Sequence, residues 1–181
     1  MPESTIASDH FPREMTKRAA VAAATAAPPR TAPRPLVLDP VLAASSGAEL
    51  LDEAGRELLR TALLPRTTLL TPNLPEAAQL LRSAPAADDE AIERQGRALL
   101  ALGAAAVLIK GGHRDGPHAT DILVTPHAPA VRFTAPRVRA ERRGTGCALA
   151  AAIAAGLARG RPLVEACELA KRHVTELLRA G

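Results

Sequence analysis

The chain has 181 residues, carries a formal net charge of +4, and is 47% apolar with only two aromatic side chains, Phe11 and Phe133. That is one domain's length with a sizeable core, although much of the apolar share is Ala. The basic balance suits anionic ligands, yet without aromatics there is no stacking platform for single strands, and no basic run reads as a docking helix. Nucleic acid is therefore excluded as a partner, and small phosphorylated ligands fit better. Cys147 and Cys167 have neither metal-ligand spacing nor a disulfide-rich pattern, which points to a reducing cytoplasm.

Residues 1–34 differ from everything after them, with no sustained periodicity and a Pro/Ala/Arg-rich end. They read as a disordered, low-complexity segment. The Ala run from Ala19 to Ala27 is too weakly apolar, and preceded by too many acids, to be a signal peptide. No stretch is long and apolar enough to span a membrane.

Order is expected from Pro35 to the end, residues 35–181. Leu36 to Leu38 reads as a buried parallel strand closed by Asp39-Pro40. Glu49 to Leu64 has helical spacing at Leu50, Leu51, Ala54, Leu58 and Leu59, and Pro65 ends it. Thr67 to Leu70 is a second strand, delivering Thr71-Pro72-Asn73-Leu74-Pro75-Glu76. A helix to about Leu81 follows. Another runs from Asp88 to Leu102, with Ala91, Gln95, Ala98 and Leu102 on one side and Gly103 as its stop. Ala105 to Ile109 is the clearest strand and ends at Lys110-Gly111-Gly112-His113. Thr120 to Val124 and Ala130 to Phe133 read as a hairpin around Pro126 to Pro129. An Ala-rich helix follows Gly144-Thr145-Gly146-Cys147, with Leu149, Ile153 and Leu157 on its buried face. A last helix spans Leu163 to Leu178. Strands alternating with helices predict a three-layer α/β/α sandwich around a mostly parallel sheet.

Polar residues cluster after the strand ends, where ligands bind in such folds. The glycine turn at 144–147 runs into a helix, so its backbone N–H groups sit at the positive end of the dipole and suit an anion. The same field lowers the pKa of a thiol placed like that of Cys147. A close-packed helix start with an inert Cys is the alternative. Glu76, three residues after Asn73, is either an acid for hydrated Mg²⁺ and phosphate oxygens or a plain helix-start acid. Lys110, one of only three lysines, either snorkels or meets a phosphate that Gly111 and Gly112 let approach. Asp39 either caps its turn or joins this set.

The segments LVLDPVLAASSGAELL, LLPRTTLLTPNLPEAAQLL, ALGAAAVLIKGGH and RRGTGCALAAAIAAGLARG, in this order, resemble the C-terminal part of the hydroxymethylpyrimidine/phosphomethylpyrimidine kinases of thiamine biosynthesis. These are members of the ribokinase-like superfamily. The resemblance covers about residues 35–180. It implies ATP and Mg²⁺ as cofactors, a small pyrimidine as substrate, and phosphoryl transfer to an alcohol or phosphate acceptor. By the same resemblance Gly144, Thr145 and Gly146 form an anion hole, and Cys147 activates the attacking hydroxyl. Asn73 and Glu76 organise phosphates and metal, and Lys110 to Gly112 lie near the nucleotide. Cys147 also separates this pattern from sugar kinases and typical pyridoxal kinases, which carry Asp there.

Family members have an N-terminal half that supplies most of the pyrimidine pocket, and nothing in residues 1–34 resembles it. The sheet is then expected to lack its early strands and to expose an edge, favouring a homo-oligomer or a partner chain carrying that half. Ser45 stands where many relatives have Lys or Thr, and Arg143 where His is frequent. A non-catalytic nucleotide-binding remnant and a pyridoxal-type vitamin kinase are the alternatives.

Overall fold

The computed structural model describes residues 35–43, 49–112, 114–138 and 144–180. The expectations for residues 1–34, Ser45, His113 and Arg143 lie outside the described residues. Strands β1 (Val37–Leu38), β2 (Leu69–Leu70), β3 (Val107–Ile109), β4 (His118–Val124) and β5 (Val131–Pro136) form one sheet in that order. β1, β2 and β3 run parallel, and β4 and β5 add an antiparallel hairpin. The sheet is thus mixed, its parallel part confined to the first three strands.

Because side chains alternate across a strand, neighbouring residues face opposite layers. Leu70, Val107, Ile109, Ile122 and Val124 belong to a core shared with Leu51 and Leu59, which flank helix α1 (Glu53–Leu58), and with helices α2 (Leu74–Leu81) and α3 (Asp89–Ala101). Leu69, Leu108, Leu123 and Phe133 belong to a second core under α4 (Thr145–Ala158) and α5 (Leu163–Arg179). Two separate cores on one sheet make three layers. Fully burying each large aliphatic side chain stabilises the fold by about 1.5–3 kcal/mol before entropy is counted, which lets strands as short as β1 and β2 hold their place.

Local chemistry accounts for most boundaries, and two expectations need correction. The helix expected from Glu49 begins instead at Glu53, because the Asp52 side chain accepts from Gly55 N at 2.7 Å and caps it. Upstream, Leu50 N donates to Leu42 O at 2.8 Å, so that segment serves the incoming loop. Beyond Leu58 the helix widens into a π turn (Leu59–Leu63) and tightens into a 3-10 turn (Leu64–Arg66) around Pro65. The second correction concerns α3, which buries Ile92, Gly96 and Leu99 rather than the face through Ala91, Gln95 and Ala98. A Cβ at Gly96 would stand 2.6 Å from Val124 Cγ2, so the bare glycine lets the helix settle onto β4 and turns its two largest apolar residues inward.

At the far side of the sheet, β1 has a neighbour only in β2 among the described residues. Leu36 beside it is 36% exposed.

Candidate active site

The parallel strands end at one edge of the sheet, and there four distant segments meet. Asp39 follows β1, Thr71 to Asn73 follow β2, Lys110 follows β3, and the start of α4 lies above them. A backbone bridge between Asn73 and Lys110 continues the parallel pairing past the strand ends, with Lys110 N donating to Pro72 O at 2.8 Å. The Lys110 ammonium sits at the centre, 2.6 Å from Asp39 Oδ1 and 4.0 Å from Glu76 Oε2. A Cβ placed on Gly146 would stand 2.9 Å from Lys110 Nζ, so the first turn of α4 rests against this cation and a side chain there would displace the ammonium. Thr71 Oγ1 lies 3.4 Å from the same oxygen, Asp39 Oδ1.

Asn73 and Glu76 form a reciprocal capping box. Asn73 Oδ1 accepts from Glu76 N at 2.8 Å, and Glu76 Oε2 accepts from Asn73 N at 2.7 Å. Glu76 is only 7% exposed. The cap therefore holds a carboxylate at a defined point 4.0 Å from Lys110, so the helix-start role and a place in the polar cluster coexist.

The start of α4 is built differently. Gly144 adopts φ 81°, a left-handed conformation that favours glycine, and no side chain caps this end among the described residues. Gly144 and Cys147 are exposed, while Thr145 and Gly146 are half-buried. Beside this turn opens a cleft of about 240 Å³, walled by Lys110 and Gly112, by Thr145 and Gly146, and by Val174 and Leu178 of α5. Gly111 and Gly112 thus enter differently. A Cβ on Gly111 would run into the Thr120 carbonyl oxygen, whereas Gly112 faces open space.

The thiol of Cys147 departs from expectation. Its pKa is raised, not lowered, first by partial desolvation of the sulfur and then by a hydrogen bond to Asp39 and that carboxylate's charge, with Glu76 adding to the effect. Lys110 acts in the opposite direction but loses to the two carboxylates. The residue as a whole is exposed, yet its sulfur leans into the acidic side of the cluster. In this arrangement Cys147 is a protonated thiol that donates to Asp39. Cys167, on the buried face of α5, is pushed up to about 12 by burial and is inert, as its mid-helix position implies.

Three residues were not singled out from sequence. Asp121 on β4 is 4% exposed and accepts from Gly111 N at 3.0 Å and from Lys171 Nζ at 2.8 Å. It anchors the glycine turn from beneath, and Lys171 of α5 balances its charge. Arg137, just past β5, donates to three backbone carbonyls of the loop between β3 and β4. A carboxylate interrupting the apolar run of β4 and the scarcity of lysines were available signals for the first pair. Nothing local marks Arg137.

With this geometry in hand, similarity to known proteins is informative. A family model described as phosphomethylpyrimidine kinase matches residues 15–181, starting ahead of Pro35. A hydroxymethylpyrimidine/phosphomethylpyrimidine kinase of Salmonella typhimurium is 46% identical over 146 residues, which cover 80% of this chain and 54% of that protein. Among solved structures, a phosphomethylpyrimidine kinase from Clostridium difficile superimposes with a TM-score of 0.66 at 35% identity, covering 80% of this chain and 58% of that one. A Staphylococcus aureus pyridoxal kinase in complex with AMP-PCP gives 0.71 at 31% identity, covering 78% and 51%. The chain spans about half the length of the relatives it matches. Its fold is accordingly that of the ribokinase-like kinases, and the chain belongs to the phosphomethylpyrimidine kinase family.

Proposed function

We propose that this chain carries the nucleotide and phosphoryl-transfer half of an ATP-dependent kinase for hydroxymethylpyrimidine or its monophosphate, in thiamine biosynthesis. The observation that carries the reading is the convergence of Lys110, Asp39, Glu76 and Cys147 with the uncapped first turn of α4, at the mouth of one cleft. Phosphoryl transfer asks little covalent chemistry of the protein. It asks for positioning and for stabilisation of negative charge on the transferring group. The N–H groups of the turn at Gly144 to Cys147 suit that charge, with Lys110 beneath them. The apolar cleft wall of Pro136, Val174 and Leu178 suits the base of ATP.

Asp39 and Glu76 offer oxygen ligands only. No group of three or more His, Cys, Asp or Glu side chains able to hold a metal occurs among the described residues. That combination fits Mg²⁺, which binds through one or two carboxylates, keeps several waters and takes substrate phosphates as further ligands. When bound, Mg²⁺ would neutralise charge on the phosphates. Glu76, held by its cap, and Asp39 would orient it, and Lys110 would leave their shared space toward the phosphates. Cys147, as a protonated thiol, donates a hydrogen bond rather than acting as a standing base.

The pyrimidine pocket is assigned to the part of the family fold outside this chain's match. A partner stretch of polypeptide or a second copy would supply it, docking along β1 beside exposed Leu36. The pyrimidine is favoured over a pyridoxal-type acceptor because, among solved structures, the chain is 35% identical to a phosphomethylpyrimidine kinase and 31% to a pyridoxal kinase. No described helix is long and apolar enough to cross a membrane. The test is to titrate the protein with ATP·Mg²⁺ by calorimetry, then to follow phosphorylation of hydroxymethylpyrimidine by mass spectrometry. Nucleotide binding is expected, with turnover well below the roughly 1–100 s⁻¹ of ordinary kinases until the remaining half is supplied. Absence of ATP binding at millimolar concentration, or preferential phosphorylation of pyridoxal, overturns the reading.

A further inference from the structure

The loop between β3 and β4 forms one lip of the cleft, and its backbone is held in an unusual way. At its start Gly111 N donates to Asp121 Oδ1. In its middle Arg114 pairs with Asp89 at the start of α3. The rest depends on Arg137. That guanidinium donates through Nη1 to Gly112 O at 2.7 Å, through Nε to Gly116 O at 2.9 Å and through Nη2 to His118 O at 3.0 Å. The Arg137 backbone N–H adds a bond to Pro117 O at 2.8 Å. Gly116 takes a φ of 114°, a conformation open to glycine, so the turn can bring its carbonyls round to one donor.

Arg137 and Gly112 both line the cleft beside Lys110. No carboxylate pairs with Arg137 among the described residues, and all three nitrogens of its planar fork are engaged by carbonyls. A free carbonyl at this lip would present its negative end to an incoming phosphate. A carbonyl that accepts from a guanidinium is both turned toward that donor and partly neutralised. The guanidinium that does this has no carboxylate partner among the described residues, so it adds positive charge to the lip.

We propose that Arg137 is a positioning residue for polyphosphate binding: it gathers the carbonyls of Gly112, Gly116 and His118 and so sets the lip against which the phosphates of a nucleotide lie. This rests on the kinase reading above but adds a residue and a mechanism to it. The role belongs to the fork geometry and not to charge alone. Lysine keeps the charge, but its single ammonium on a flexible stem cannot serve three carbonyls in a plane.

The experiment compares wild type, Arg137→Lys and Arg137→Gln in the full chain, by ATP titration and by amide hydrogen exchange without ligand. Both variants should weaken ATP binding by about tenfold, the worth of one charge-assisted hydrogen bond. Exchange should quicken at the amides of Arg114 and of position 137, whose N–H groups bond to the carbonyls of Gly111 and Pro117 in this loop, while the sheet keeps its protection. ATP affinity in Arg137→Lys equal to wild type overturns the proposal in favour of a simple charge. Exchange that quickens across the whole sheet in both variants overturns it in favour of general stabilisation. A wild-type protein that binds no ATP overturns the kinase reading itself, a result distinct from either.

Discussion

Two helices begin at this site, and they begin in opposite ways. The start of α2 is closed. Asn73 and Glu76 satisfy each other's backbone N–H groups, and Pro75 occupies the first turn, where a missing donor costs nothing. The start of α4 is open, with a left-handed glycine in place of a capping side chain. Both ends carry the same partial positive charge, but side chains take two N–H groups at the closed one, while no side chain takes any at the open one among the described residues. The closed end contributes a carboxylate in a fixed place instead. One helix start is suited to phosphate and the other to the cation that accompanies phosphate, with Lys110 between them.

The contrast is sharpest at the residue the two ends share. Replacing Lys110 with Met should leave Asp39 and Glu76 facing each other without a cation, at a cost of roughly 3 kcal/mol as expected when one partner of a buried pair is removed. Urea denaturation measures it, and a loss under about 1 kcal/mol would mean that water already screens the pair. Next in size is Gly144→Ala. Nothing lies within 4 Å of the added Cβ, so the expected loss of about 1–2 kcal/mol comes from backbone strain alone. At the closed end, Asn73→Ala should cost about 1 kcal/mol, the worth of an N-cap. A larger loss there than at Gly144 would reverse the view of which end its own residues stabilise.

Glu76→Gln separates capping from metal binding. Glutamine serves a capping box as glutamate does, so stability should change by only a few tenths of a kcal/mol. Affinity for ATP measured with Mg²⁺ should fall, while affinity measured without it stays the same. Equal affinities with Mg²⁺ in the two proteins would confine Glu76 to its cap.

The smallest effect concerns proton affinity. Since desolvation and Asp39 raise the Cys147 pKa, its alkylation rate should climb with pH to a midpoint above that of an ordinary thiol. Asp39→Asn removes the charge that disfavours thiolate, so it should bring the midpoint down and speed labelling near neutral pH. Cys167 should stay unlabelled while the protein is folded, given a pKa of about 12. An unchanged midpoint in Asp39→Asn would show that the thiol does not face that carboxylate.

Much of this was legible in sequence because it is encoded within a few residues. Asn73 and Glu76 at N-cap and N3, Gly103 at a helix stop with φ 109°, and the unbroken apolar run of Val107 to Ile109 each act over one turn or one strand. The motif order at strand ends also placed Asp39, Lys110 and Gly144 to Cys147 at a common edge, as the structure finds. The face of α3 was misread because Ala and Gln at helical spacing look like a stripe, while a glycine looks like a gap. Only the approach of Val124 shows that the gap is the contact.

The sequence by itself determined the order of elements, the glycine turns and the family, since each follows from residue type and short spacing. The tertiary structure alone decided the sign of the Cys147 shift, the burial of Asp121 against Lys171, and the gathering of three carbonyls on Arg137. Those outcomes depend on charges and donors that lie far apart in the chain and meet only on folding. A helix dipole acts within its own first turn, whereas the shift at this sulfur comes from its partial desolvation and from the carboxylates that β1 and α2 bring beside it.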